Sequence, residues 1–443
     1  MHVVAQIIFT LLLSAAGAGI YLSISRIRKN ILLGRDEDRS GNKTARIKNM
    51  LLMALGQKKM FKKPLPALLH FFVYAGFLIV NMEMLEIAID GVFGTHRIFA
   101  GVLGSFYPVM INIFEFFAVT VIIACAIFLI RRNVLHVKRF SGTEMNKWPL
   151  LDANLILGME IILMLAFLKM NAMDQILQDI GNEHYTHTGT FYISASLKGL
   201  YTSYSPQFLI ISERTCWWVH IIGVMFFANY VFYNSKHLHI FMAFINTYFA
   251  KLTPAGKLTN MPEVTKEVKL MLNLPVEESA ATEQAPGRFG AKDVRDLTWK
   301  NLLDAYSCTE CGRCTQQCPA NITGKKLSPR KIMMDTRDRL EEVGKNIKKH
   351  GNDYDDGKSL LGSYISEEEI LACTTCNACV EACPVTIDPV SIILQLRRFK
   401  LMEESQAPAS WNSMLSNIEN NMAPWKFSPS DRFNWADKLK GQN

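Results

Sequence analysis

Cys308-Thr309-Glu310-Cys311-Gly312-Arg313-Cys314-Thr315-Gln316-Gln317-Cys318-Pro319 returns in its spacing as Cys373-x2-Cys376-x2-Cys379-x3-Cys383-Pro384. Three cysteines spaced by two residues on a tight turn can wrap one [4Fe–4S] cubane. The fourth, followed by a helix-breaking proline, is directed to the other cluster. One cluster is therefore expected on Cys308, Cys311, Cys314 and Cys383, the other on Cys373, Cys376, Cys379 and Cys318. Zinc also binds paired CxxC motifs, but a repeated four-cysteine run ending in proline suits cubanes far better. Eight of the ten cysteines fall in these two groups, which argues for metal ligation over disulfides. Cys125 and Cys216 stand apart and are read as packing residues.

Working outward, Ser328-Pro329 opens a helix expected over 327–339, and Ser366 with Glu369 forms a capping box before 366–372. A further helix is expected over 390–403. These elements define a small α-helical domain at 297–404. Upstream, 251–296 loses apolar periodicity and is punctuated by Pro254, Pro262, Pro275 and Pro286, with a polar stretch at 277–283. It reads as a surface linker with one short helix at 263–272. Downstream, 405–443 is polar but carries Trp425, Phe433 and Trp435, which suits docking to a partner. The alternative is a tail folded back on its own domain.

The first 250 residues differ in kind. Apolar runs at about 3–24, 66–89, 106–130, 151–170 and 217–241 are each long enough to cross a bilayer, which takes about 20 residues. The first lacks a basic flank and a cleavage site, so it is expected to be retained. Basic residues cluster in alternate connections: Arg26 to Lys63 after the first run, and Arg131 to Arg139 after the third. The positive-inside rule then places the N-terminus outside and the C-terminal domain in the cytoplasm, in a bacterial or archaeal cytoplasmic (inner) membrane. The net charge of +8 is thereby assigned to membrane topology, and no nucleic-acid partner is expected.

Histidines inside or beside these runs are the next signal, because ionisable groups at membrane depth default to function. His70 lies in the second run, His220 toward the outer end of the fifth, and His237 and His239 toward its inner end. Imidazoles facing one another across a helix bundle are the usual axial ligands of haem b. His70 and His237 are expected at similar depth and are the first choice for one haem. On a continuous helix His239 points to nearly the opposite face. His220 is left for a second haem, with Met84 or His96 as partner, or for a quinone.

The sequence Cys308 to Cys314, then Cys318-Pro319-Ala320 and Lys326-Leu327-Ser328-Pro329-Arg330, resembles the C-type iron–sulfur protein of heterodisulfide reductase, and Ala372 to Val385 extends the likeness. The N-terminal half resembles the haem b membrane subunits of those reductases and the gamma subunit of respiratory nitrate reductase. That resemblance rests on five spans, His70, His220 and Ser235-Lys236-His237-Leu238-His239. In the nitrate reductase pattern the second span carries two haem histidines, whereas only His70 stands there. The resemblance implies quinone reactivity near a haem edge, with menaquinone or another quinone as substrate. No Cys-Cys-Gly occurs, so the disulfide-reducing site of those complexes is expected on another polypeptide.

The expected protein is all-α: a five-helix transmembrane bundle followed by a ferredoxin-type domain. Its expected function is that of an oxidoreductase subunit passing electrons between a cytoplasmic partner, two clusters, haem b and quinone. The resemblance names the partner as a CCG-type iron–sulfur protein, a flavoprotein dehydrogenase or an electron-transfer flavoprotein. Two other readings stay open: an accessory protein for respiratory cofactor assembly, and a membrane tether for a dehydrogenase without quinone chemistry.

Overall fold

The structure, a computed structural model, describes residues 3–140, 142–145, 147–276 and 289–440. Among these the chain is helical, with no strand and only isolated backbone bridges. Five helices are long and apolar enough to cross a membrane. Spans one to five are Val3–Ile31, Pro64–Phe93, Tyr107–Asn133, Trp148–Asp179 and Pro206–Asn234. Spans two to five open with proline in the first turn, where its missing N–H costs nothing. The first four helices run past the C-terminal ends of their apolar runs, because hydrogen bonding continues beyond the hydrocarbon-length segment. Their outward faces expose residues such as Ile7, Leu11, Leu78, Ile123 and Ile162. In water such a band would be an aggregation surface; in lipid it is at rest.

The fifth span departs from expectation. It begins at Pro206, with the Ser205 hydroxyl accepting from the Phe208 amide, and it stops at Asn234 rather than continuing to 241. Asp152, at the start of span four, causes the break. Its carboxylate accepts from Ser235 Oγ at 2.8 Å and from the Lys236 amide at 3.0 Å, and from Tyr230. A tight turn at Lys236–Leu238 follows, and a separate helix runs from His239 to Tyr248. His220 consequently lies midway along the fifth helix, not toward its outer end.

At the end remote from the iron–sulfur domain, a buried polar network ties the bundle. Arg97 pairs with Asp174, donates to Asn171 at 2.8 Å and to the Tyr107 hydroxyl at 3.1 Å; that hydroxyl donates to Glu86 at 2.8 Å. Arg97 thus belongs to the interior of the bundle rather than to a solvated loop. Close helix approach also depends on small residues: a Cβ on Gly91 would lie 2.5 Å from the Phe9 ring.

All basic connections face the iron–sulfur domain. Its helices include Trp299–Tyr306, Pro329–His350 and Pro389–Arg398. The Ser328 and Ser366 caps form as expected, Ser366 and Glu369 as a full capping box. The domain starts earlier than 297, since Ala291 and Val294 are fully buried in its core and the Ala291 amide bonds the Gln395 carbonyl. The linker helix forms at Pro262–Met271, while the polar stretch at 277–283 lies outside the described residues.

One apolar core crosses the boundary between the two halves. Ile27, Leu238 and Met242 pack in the same cluster as Leu302, Tyr306 and Ile332. Fully burying such a side chain contributes about 1.5–3 kcal/mol. The exposed Lys62–Glu381 pair contributes at most about 1 kcal/mol. The interface is therefore held chiefly by packing, with buried polar bonds setting its register. Those bonds include Asn30 to Tyr306 and Asn246 to the Val385 carbonyl, both at 2.9 Å. The Arg35 amide bonds the Leu297 carbonyl, and the Trp299 amide bonds the Arg35 carbonyl in return.

Candidate redox site

The two cysteine motifs adopt the same local geometry. In the first, Glu310 and Gly312 have positive φ (53° and 71°); in the second, Thr375 and Asn377 match them (54° and 60°). Each pair of left-handed residues curls a CxxC segment around a common centre, then a short helix begins at Arg313 or Ala378. Gly312 has a second reason to be glycine: a Cβ there would lie 2.6 Å from the Arg330 guanidinium and 2.8 Å from the Arg139 carbonyl oxygen.

Cys308, Cys311, Cys314 and Cys383 line one small cavity of about 20 Å³. Burial raises the thiols of Cys308 and Cys383 to about 12, reinforced by neighbouring cysteines of the same set. Cys314 is raised well above the ordinary thiol range by burial, with Cys308, Cys311, Cys383 and, less, Cys379 contributing. In the other motif, burial raises Cys373 with Cys318 and Cys376 contributing, and Cys379 with Cys373 and Cys318 contributing. Sulfurs so buried and so mutually close suit positively charged iron, which would hold them as thiolates. Amides of Thr375 and Ile387 donate to Cys373 Sγ (3.4 Å) and Cys383 Sγ (3.3 Å), contacts that tune cluster potentials. Among the eight motif cysteines Cys376 alone is exposed; the others are buried or half-buried.

A second cavity, of about 300 Å³, runs from the first cysteine set into the bundle. Cys311, Arg313, Pro384 and Val385 line one end, and His70, His237 and His239 stand further in. The His70 and His239 rings lie 6.4 Å apart, whereas the sequence favours His70 with His237. The break at Ser235 explains the difference. His237 and His239 no longer sit on opposite faces of one helix; their rings meet edge to face at 5.5 Å and line the same cavity. His70 Nδ1 bonds Gln57 Oε1 at 3.1 Å, and His239 Nδ1 donates to the Lys236 carbonyl at 2.9 Å. Such bonds leave Nε2 of each ring free for a ligand. Metal–imidazole bonds of about 2 Å on either side of one ion fit the ring separation.

His220 is fully buried beside Phe167; its Nδ1 donates to the Leu163 carbonyl at 2.9 Å, and Nε2 has no partner. No second histidine ring packs on it among the described residues. His96 packs instead with His184 and Tyr185 and contacts Asp174.

Several polar residues of the site escape a search for histidines and cysteines. Glu310, inside the first motif, is 4 % exposed and pairs with Lys236 at 2.6 Å and Arg337 at 2.8 Å. Burial raises its carboxyl, but Arg337 and Lys236 prevail and hold it below the ordinary value. Glu160 and Tyr74 line the inner end of the cavity. An acid inside an apolar run is the signal that finds Glu160, as it finds Glu83, Glu86 and Glu115.

Residues 307–387 match the 4Fe-4S dicluster domain family. This module therefore is an iron–sulfur domain built for two clusters. Along nearly the whole chain, similarity extends to the probable iron-sulfur-binding oxidoreductase FadF of Bacillus subtilis, 27 % identical over 98 % of this chain and 61 % of the relative. EtfAB:quinone oxidoreductase of Syntrophomonas wolfei is 26 % identical over 92 % of this chain and 56 % of its own length. The chain thus spans about three fifths of these relatives. A component of the ferredoxin/F(420)H(2)-dependent CoB-CoM heterodisulfide reductase from Methanosarcina acetivorans is 33 % identical over 24 % of this chain and 52 % of its own length. The resemblance to heterodisulfide reductase noted in the sequence is thereby supported for the iron–sulfur half. No solved structure matches the chain.

Proposed function

We propose that this protein is the membrane-bound electron-transfer component of a quinone-linked oxidoreductase. The observation that carries this reading is the cavity linking Cys311 to His70, His237 and His239. In this reading Cys308, Cys311, Cys314 and Cys383 hold an inner cluster, Cys373, Cys376, Cys379 and Cys318 an outer one, and His70 and His239 a haem b. When bound, these groups would carry single electrons.

The protein's own residues give the path a direction in space. Cys376 is exposed, so the outer cluster is the natural contact for a soluble redox partner. Arg131, Arg132, Arg139 and Lys236 rim the cavity between cysteines and histidines and are placed to balance haem carboxylates. The name of the Syntrophomonas wolfei relative favours an electron-transfer flavoprotein as that partner and quinone as acceptor. The basic connections favour a cytoplasmic side for the iron–sulfur domain. The tail supports a docking role: its helix Ala409–Asn421 has no buried residue, and Trp425, Phe433 and Trp435 are exposed. His220, with Nε2 unpartnered, is the candidate for a second haem or a quinone contact.

Purified protein with about eight non-haem iron atoms per chain, expected for two cubanes, and a reducible b-type absorption band supports this reading. Full iron without haem absorption favours the assembly-factor or tether alternatives.

A further inference from the structure

Beyond the histidines the cavity continues toward the membrane core, where Tyr74, Cys125 and Glu160 line it. At 1.5 Å per residue, His70 lies about 9 Å from the start of span two, Tyr74 about 15 Å, and Glu160 about 18 Å from the start of span four. Tyr74 and Glu160 therefore share a depth beyond the imidazoles. The Tyr74 hydroxyl is buried with no hydrogen-bond partner. No hydrogen bond or ion pair reaches the Glu160 carboxyl among the described residues. An unpaired carboxyl at this depth costs several kcal/mol if charged, and an orphaned hydroxyl roughly 1–3 kcal/mol. At the other end of the bundle Glu86, Glu115 and Asp174 are hydrogen-bonded, while Glu83, also buried with a carboxyl oxygen lacking a partner, lies outside this cavity. Tyr74 and Glu160, both without partners, line the part of the cavity that also holds Val73, Phe77, Phe128, Ile156 and Leu157.

We infer that Tyr74 and Glu160 form the headgroup site of a quinone, with Tyr74 donating a hydrogen bond to a carbonyl oxygen and Glu160 delivering protons. This rests on the quinone-linked reading above and names the residues that make it work. The quinone accepts two electrons from the iron–sulfur side and two protons, and its two carbonyls become the hydroxyls of a quinol. Each proton passes through the Glu160 carboxyl, which regains it from water at the polar rim, so Glu160 is unchanged over the cycle. The other titratable groups facing this space are the three histidines, Cys125 and the cationic rim. Among the groups lining this cavity Glu160 is the only carboxyl.

The test uses the full chain in detergent, reduced with dithionite and mixed with menadione, with haem reoxidation followed optically. Binding of 2-heptyl-4-hydroxyquinoline N-oxide is followed separately by fluorescence quenching. Glu160→Gln is expected to bind the inhibitor normally while its limiting rate falls about 100-fold, the usual scale for a proton donor, and loses its dependence on pH. Glu160→Asp recovers part of that rate. Tyr74→Phe is expected to weaken inhibitor binding about 10-fold, the value of one lost hydrogen bond. Wild-type rates, pH profile and inhibitor affinity in Glu160→Gln and Tyr74→Phe overturn the assignment alone. Wild-type protein that neither binds the inhibitor nor is reoxidised by menadione overturns the quinone reading itself.

Discussion

The Lys236 ammonium lies 2.6 Å from the Glu310 carboxylate, joining the turn that carries His237 and His239 to the loop that carries Cys308 and Cys311. Both residues are nearly buried, at 10 % and 4 % side-chain exposure, and Lys236 also donates to the Pro149 carbonyl at 2.5 Å. The pair thus fixes the register between the histidine-lined cavity and the first cysteine motif. Breaking one partner of such a pair costs about 3–5 kcal/mol, whereas replacing both with apolar groups costs far less. Lys236→Met with Glu310→Met together is expected to lower the unfolding midpoint by less than the sum of the two single variants. A double-mutant cycle by thermal unfolding checks this; additive losses would deny the coupling.

The same carboxylate sets an acid limit. Its folded pKa is depressed below the ordinary glutamate value of 4.5, with burial opposing and Arg337 and Lys236 prevailing. Its contribution to stability is therefore complete above that value and is lost as pH falls through the depressed folded value. Glu310→Gln should remove this part of the acid dependence below about pH 4.5 while leaving the neutral range flat. Denaturant midpoints measured from about pH 3 to about pH 7 give the comparison, and an unchanged acid slope would refute it.

Ligand crossing makes an unusual prediction for the cysteines. Cys383→Ala lies in the second motif but should perturb the cluster of the first, and Cys318→Ala should do the converse. Low-temperature EPR of the reduced variants distinguishes the two signals. Loss of the signal belonging to the mutated motif's own three cysteines would show uncrossed ligation.

Haem retention separates the histidines. His70→Ala and His239→Ala should each abolish the b-type band, and His237→Ala should keep it with a shifted potential. A band that survives His239→Ala but not His237→Ala would restore the pairing that the sequence favours.

The iron–sulfur domain was legible because its chemistry is local: one cubane fixes the spacing of three cysteines within seven residues, Cys308 to Cys314. The five spans were legible because bilayer thickness fixes the length of an apolar run. The proximity of His239 to His70 was not legible, since it depends on Asp152, distant in sequence, turning the chain at Ser235. Arg97 looked like a loop charge for a similar reason: its partners Asp174 and Asn171 come from span four. Glu160 carried a visible signal, an acid inside an apolar run, but only the cavity shows that it shares a space with Tyr74 and the histidines.

The most direct measurement is the optical response of the oxidised, purified chain to menadiol. Rapid reduction of a b-type band, followed by bleaching of the broad iron–sulfur absorption, is the predicted result. A protein without b-type absorption, or one whose haem and clusters stay oxidised in excess menadiol, would contradict the connected path from quinone through the histidine cavity to the cysteines.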